Sequence, residues 1–502
     1  MTLKNINVLV LLFFLIINTI KGDCEACCED CCKDCVKKES EDINDKENEN
    51  NKKNKKKSEK KSINSSQNDF FMGNNNPDDN LNNFQNNSFM ENYNPNNNQY
   101  NFQNNNQYNF QNNNQYNFQN NNQYNFQNNF QKNRFITGET LGLENVGATC
   151  YMNATLQCLF HIKELSFFFL NWYYSLYNSF SCNPFYLSNV LNGKRLFPQY
   201  MNLLCQVFYP EFNGNQNKYY APQAFKDTIS DINPLFKGVQ ANDAKDLLQC
   251  ILENLHNELK MPTQPFQEYP YDQKDEKAAM QYFFDSHITQ NQSPIFSYLH
   301  GLNRMEGNCS KCNTKKYNFQ THSLLYFPLK EAKRIAVLRK KNENKNFDEG
   351  NYVLTLEDCF ASNETVDLFT GDNKFFCNEC KDNQDYVYQT VLYTPPTVLS
   401  IVLNRGKANL DFQEYFKFGL DLDIKKYIYN PDFKHGKYYL IGMVVHSGES
   451  SMAGHFIAYC RMDKNSKWFC YNDAYVTECN DIEEKFNVNK PYILFYHYDN
   501  DV

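Results

Sequence analysis

"GLENVGATCYMNATLQCLF", residues 142–160, decides how the rest of this chain is read. A polar, glycine-containing lead-in runs into an apolar pattern in which Met152, Leu156, Leu159 and Phe160 fall on one face at the helical period. The spacing predicts a helix over residues 150–170. Thr149 is a candidate N-cap, which puts Cys150 in the first turn, where unpaired N–H groups and the helix dipole favour a thiolate. Cys158 lies eight residues further on, about 12 Å along the axis at ~1.5 Å per residue, outside that field. A helix-terminal cysteine is by itself more often an inert buried thiol than a nucleophile. The remainder of the chain has to supply a base.

Working outward, the composition divides the 502 residues sharply. Residues 37–136 are mostly Asn, Lys, Gln, Glu and Ser. They contain the eight-residue repeat "QYNFQNNN", which begins at Gln99, Gln107 and Gln115. Such tracts lack the aliphatic residues to build a core and are expected to form a disordered tail. Residues 137–502 carry apolar and aromatic residues at core-forming density, enough for one large domain with subdomains. Before the tail, residues 1–22 resemble a secretory signal peptide, with an apolar run from Val8 to Ile17 too short to span a bilayer comfortably. Residues 23–36 hold Cys24, Cys27, Cys28, Cys31, Cys32 and Cys35. Disulfides, metal ligation, lipidation beside a membrane-seeking segment and a flexible tail without a fixed role all stay open for this cluster. Membrane association through residues 1–36 is one expectation. The net charge of −8, with no sustained basic stripe in the globular part, gives no support to nucleic-acid binding.

Within the globular part, "NDAKDLLQCILENLHNELK" (242–260) reads as a second helix, with Leu247, Leu248, Ile251, Leu255 and Leu259 as its stripe. From about residue 294 the pattern changes to short aromatic and β-branched runs. "YVYQTVLYTPPTVLSIVLNRG", "KYYLIGMVVHSG", "GHFIAYCRM", "KWFCYND" and "KPYILFYHY" are strand-like. Helices first and strands later predict an α+β fold.

His455 opens one of these strands, directly after Gly454. Asn472 and Asp473 end another, seventeen residues on. Neighbouring antiparallel strands would bring an Asn or Asp side chain beside the imidazole to fix its tautomer, as the third member of a catalytic triad does. His446 is the rival base. "CSKC" (Cys309, Cys312) and "CNEC" (Cys377, Cys380) are two CxxC pairs able to give four thiolates to a closed, structural Zn²⁺ site.

The opening stretch closely resembles the cysteine box of the ubiquitin-specific proteases, papain-like deubiquitinating enzymes. "YLIGMVVHSGESSMAGHFIAYCR" with "KWFCYNDAYVTEC" resembles their histidine box, and "KPYILFYHY" the closing strand. "NDAKDLLQCILENLHNEL", "LTLEDCF" with "GDNKFFCNEC", and "PPTVLSIVLNRGK" resemble the intermediate motifs, in family order, over residues 138–498. The resemblance implies a papain-like peptidase fold with a helical thumb, a β-rich palm and zinc-bearing β fingers that hold the body of ubiquitin. It implies Cys150 as nucleophile, His455 as general base and Asn472 as the group orienting it. It also implies that Asn145 donates to the developing oxyanion, with Asp473 in support. Hydrolysis after the C-terminal glycine of ubiquitin is the implied activity, and ubiquitin and ubiquitinated proteins are the implied partners. No catalytic metal is expected.

The sequence departs from the family pattern at Ala241 and Asn242, where two glutamines are usual, at Gly406, where Phe is common, and at Ala148, often Asn. The first three bear on substrate fit rather than chemistry. Two other readings compete: a catalytically silent ubiquitin-binding scaffold and an extracytoplasmic papain-like peptidase. Zinc thiolates and a cytosolic substrate point to the cytoplasm, nucleus or a membrane facing them, and the signal-like N-terminus points to the secretory pathway.

Overall fold

The computed structural model describes residues 139–170, 195–209, 218–261, 263–364, 366–405, 415–433, 435–450, 453–488 and 490–500. The signal-like segment, the cysteine cluster at 24–35, the repeat-bearing tail and Gly406 lie outside the described residues.

The first strand, β1 (Gly142–Leu143), pairs in parallel with β2 (Tyr219–Tyr220). Between them in sequence run α1 (Cys150–Phe160) and α2 (Leu196–Phe208), followed after β2 by α3 (Gln223–Ile232) and α4 (Ala244–Leu259). All eleven residues of α1 are buried, so its polar side chains must find partners inside. Gln157 donates to the Leu141 carbonyl at 2.8 Å and accepts from Thr140 Oγ1 at 2.8 Å, stitching the lead-in to the helix. The helix predicted over 150–170 breaks at His161–Ile162. There His161 Nδ1 bonds the Gln157 carbonyl at 2.6 Å and Ser166 Oγ donates to that of Phe160 at 2.6 Å, so side chains satisfy the terminal carbonyls. The second predicted helix appears as α4, N-capped by Asp243, whose carboxylate accepts from Lys245 N at 2.9 Å.

Helices α5 (Glu276–Phe283) and α6 (Pro294–Leu299) lead into a four-stranded antiparallel sheet. It comprises β3 (Gly301–Cys309), β4 (Lys315–His322), β7 (Val366–Phe369) and β10 (Tyr386–Thr394), in the order β4-β3-β10-β7. A small hairpin of β8 (Phe375–Cys377) and β9 (Asp382–Gln384) accompanies it. Together these are the fingers. Between β4 and β7 in sequence lie β5 (Leu325–Pro328), α7 (Leu329–Glu343), β6 (Leu354–Thr355) and α8 (Leu356–Ser362). Helix α7 interrupts a region where the pattern pointed to strands alone. Its helix-forming sequence buries only Leu329, Ala332, Ala336 and Val337, a narrow stripe easily passed over beside so many charges.

The palm is one large sheet. Its path runs β17 (Tyr475–Cys479), β16 (Trp468–Asn472), β15 (Ala453–Cys460), β14 (Lys437–Ser450), β18 (Lys490–Tyr498), β11 (Val398–Asn404), β5. Strand β13 (Asp421–Asp423) pairs with β14, while β12 (Phe416–Lys417) pairs with β6 apart from the sheet. Residues of β14 alternate between opposite cores, with the phase shifting by one at the Gly442 irregularity: Tyr439, Ile441 and Val444 face the thumb helices, and Leu440, Met443 and Val445 face α7 and α8. Burial on both faces explains why these strands read as continuous apolar runs.

Candidate active site

Cys150 is the first residue of α1 and is 7% exposed. The turn before it is built from two residues with positive φ, Gly147 at 122° and Ala148 at 48°. Only glycine takes the first value without strain, and a Cβ at Gly147 would also stand 3.1 Å from Val239. Asn145 organises this turn: its Oδ1 accepts from Thr149 N at 2.9 Å and Gly147 N at 3.3 Å. Thr149 Oγ1 in turn accepts from Val146 N at 3.0 Å. Thr149 therefore braces the turn backward, and it makes no side-chain cap to α1. Of the first-turn N–H groups, those of Met152 and Asn153 donate to the Thr149 carbonyl at 3.0 and 2.9 Å, so only the N–H groups of Cys150 and Tyr151 remain at the helix end.

The candidate base arrives from the opposite end of the described chain. His455 stands in β15, and its Nε2 is 2.7 Å from Asn472 Oδ1 at the end of β16. Asp473, the other candidate for that duty, is 3.9 Å from the same nitrogen, so Asn472 is the partner. With Nε2 committed, Nδ1 is the nitrogen left for the thiol. The imidazole is lifted to about 9, chiefly by the hydrogen bond to Cys150, with Asn472 and the charges of Cys150 and Asp473 contributing, against the opposing effect of burial. His446 is 4% exposed, packs edge-on against Phe456 at 4.6 Å and lies under Gly454, where a Cβ would stand 2.2 Å from its Cε1. It is a buried ring beneath the strand rather than one beside Cys150.

Asp473 occupies the two-residue turn between β16 and β17 with φ 50°. Its carboxylate bridges two asparagines: Oδ2 accepts from Asn145 Nδ2 at 3.0 Å and Oδ1 from Asn153 Nδ2 at 2.8 Å. Its carbonyl accepts from Leu143 N at 2.9 Å. One N–H of Asn145 is thus spent on Asp473, and the other is uncommitted on an exposed side chain. Asn153, one turn into α1, also donates to the carbonyls of Leu143 and Glu144 at 3.1 and 3.2 Å. Sequence reasoning missed it. Its only signal was a polar residue, like Thr155 and Gln157, on a buried helix, and its partners come from distant segments.

Of the two departures at 241 and 242, Asn242 reaches further than substrate fit: its Nδ2 lies 3.3 Å from the hydroxyl of Tyr151, the residue after Cys150. Cys158 is 1% exposed, with its Sγ 3.6 Å from that of Cys460, a buried thiol as its position implied.

Far from the thiol, Cys309, Cys312, Cys377 and Cys380 meet at the tip of the fingers, all four sulfurs within 4.8 Å of one another. Cys309–Cys380 are 3.9 Å apart and Cys312–Cys377 3.6 Å. A tetrahedral ion with metal–sulfur bonds of about 2.3 Å needs S···S edges of about 3.8 Å, whereas a disulfide needs about 2.05 Å. Each CxxC turn closes through a left-handed residue, Asn313 at φ 57° and Lys381 at φ 55°. The donor set fits a metal ion.

Compared with known proteins, residues 141–496 match the family model described as ubiquitin carboxyl-terminal hydrolase. Ubiquitin carboxyl-terminal hydrolase 2 of Bos taurus is 24% identical over 367 residues, covering 71% of this chain and 54% of that protein. Ubiquitin carboxyl-terminal hydrolase 4 of Saccharomyces cerevisiae is 25% identical over 390 residues, covering 71% and 39%. The chain therefore spans about half the length of the relatives it matches, or less. Among solved structures, the SAGA DUB module containing Ubp8 bound to monoubiquitin shares the fold, with a TM-score of 0.52 and 20% identity over 73% of this chain and 70% of that one.

Proposed function

Because the chain belongs to the ubiquitin carboxyl-terminal hydrolase family, we propose that it is a cysteine-type deubiquitinase that cleaves the isopeptide or peptide bond after the C-terminal glycine of ubiquitin. The observation that carries this reading is the alignment of a helix-terminal thiol, an imidazole lifted to about 9 and an asparagine 2.7 Å behind it. Cys–His–Asn is a known variant of the triad.

In this reading His455 Nδ1 holds the proton of Cys150, and the thiolate attacks the glycine carbonyl carbon. The second N–H of Asn145 and the backbone N–H of Cys150 meet the charge that develops on oxygen. One such donor is worth about 10²–10³ in rate. The tetrahedral intermediate collapses as the leaving amine takes the proton from His455, giving a thioester on Cys150. Water then loses a proton to His455 and attacks the thioester, releasing the ubiquitin carboxylate and restoring the thiolate. Asn472 keeps the imidazole oriented through both steps. Asp473 is a positioning residue, since it holds Asn145 rather than the reacting atoms.

Cys309, Cys312, Cys377 and Cys380 would hold one structural Zn²⁺, whose closed thiolate shell leaves no position for substrate. Its role is to fix the tip of the fingers against which ubiquitin rests. The cysteines of the described residues are all free, which supports a reducing compartment for this domain.

The test is hydrolysis of a ubiquitin C-terminal fluorogenic amide by the full chain. Turnover that disappears in Cys150→Ala supports the reading. Activity retained in that variant, or absent from the folded wild type, sinks it.

A further inference from the structure

Tyr475 is 76% exposed, more than any other large hydrophobic residue among those described. An isolated tyrosine on a surface would be ordinary. This one stands directly opposite Asn472 in the β16–β17 pairing. Opposed residues of antiparallel strands project from the same face with Cβ atoms about 5 Å apart. Followed inward, that face passes through Cys470, Trp468 and Cys479, which pack into the second core. On the neighbouring β15 it carries Tyr459, Ile457 and His455, by the two-residue alternation of a strand. Tyr475, Asn472 and His455 thus occupy three successive strands on one face, and Tyr475 stands where that face opens to water.

Sheet order shows which half of a substrate would meet it. The fingers connect to the palm through β4 into β5 and β10 into β11, at one edge of the sheet. Strand β17 is the other edge, five interstrand steps from β11 or roughly 24 Å at about 4.8 Å per step. If ubiquitin rests on the fingers, its C-terminal glycine enters the site from their side and the leaving group departs toward β17. The leaving amine takes its proton from His455, so its carbon stem must pass the end of the face that Tyr475 lines.

We infer that Tyr475 walls the leaving-group side of the site and holds the four-carbon stem of the substrate lysine whose ε-nitrogen is released. The inference rests on the deubiquitinase reading. A flat aromatic ring suits an aliphatic stem, and its face also attracts the ammonium that forms on release. A substrate without a lysine on that side cannot use the ring.

Two substrates separate the possibilities for the full chain: ubiquitin joined through its C-terminal glycine to the lysine of a short labelled peptide, and ubiquitin ethyl ester, whose leaving group is too small to reach the ring. Tyr475→Ala is expected to lower the ratio of isopeptide to ester kcat/KM about five- to tenfold. Tyr475→Phe, which keeps the ring, should hold that ratio within about twofold of wild type. An unchanged ratio in Tyr475→Ala overturns the inference, whether both rates stay or fall together, because a ring that only shields the Asn472–His455 bond affects both substrates alike. Wild-type chain inert toward both substrates would instead remove the deubiquitinase reading, and this inference with it.

Discussion

In the proposed mechanism His455, lifted to about 9 chiefly by its bond to Cys150, sets the alkaline limit of the reaction. Below that value the imidazolium can protonate a leaving amine; above it the proton is gone and acylation slows. The rate against amide substrates should therefore fall as pH rises through about 9. Asn472→Ala removes one influence that raises His455, so a pH–rate profile should show the alkaline limb displaced downward, together with a lower kcat. A limb unmoved by that change would assign Asn472 no part in holding the imidazole. Ala148, at φ 48°, carries the cost of a left-handed conformation on a residue with a Cβ. Replacement by Gly should raise stability by about 1 kcal/mol in denaturant unfolding. The candidate roles of Cys150, His455 and Asn472 could be read because each occupies a telling local position: the first residue of a helix, the residue after a strand glycine, and the last residue of a strand. Asn153 was not, because its meaning lies in a carboxylate from the far end of the chain.

The hairpin of β15, β16 and β17 is the element that turns a helix-terminal cysteine into a site. Strand β15 lies close because Gly454 leaves room for the His446 ring beneath it. Gly454→Ala would put a Cβ 2.2 Å from His446 Cε1 and 2.7 Å from the Ser447 carbonyl. It should destabilise the domain by about 2 kcal/mol and lower kcat more than KM, since His455 is the next residue. A variant with unchanged unfolding and kinetics would show that this packing is slack. The strands of the palm could be read from their apolar runs, but their order could not. The parallel pairing of β11 with β5, and the helix α7 that follows β5, depend on contacts across the sheet that no local window holds.

At the scale of the whole molecule, the proposed catalytic and ubiquitin-holding elements lie at separate places among the described residues. The cysteine cluster lies at the tip of the fingers, and the triad at the junction of thumb and palm. On the proposed reading, replacing Cys309 and Cys377 by Ser should abolish Zn²⁺ binding by the chain and weaken ubiquitin binding. The same variant should leave alkylation of Cys150 by a small reagent near the wild-type rate. Loss of both together would mean that the fingers hold the palm in shape as well as the substrate. The CxxC pairs announced this cluster in the sequence because ligand spacing is local, even where the pairs themselves are far apart. The central claim is that Cys150, and no other thiol of the chain, attacks the C-terminus of ubiquitin. Ubiquitin bearing a C-terminal electrophile, incubated with the full chain and followed by mass mapping of the adduct, tests it most directly. A single adduct on Cys150, absent from His455→Ala at neutral pH, is the predicted result; an adduct on another cysteine, or none on the folded chain, would contradict it.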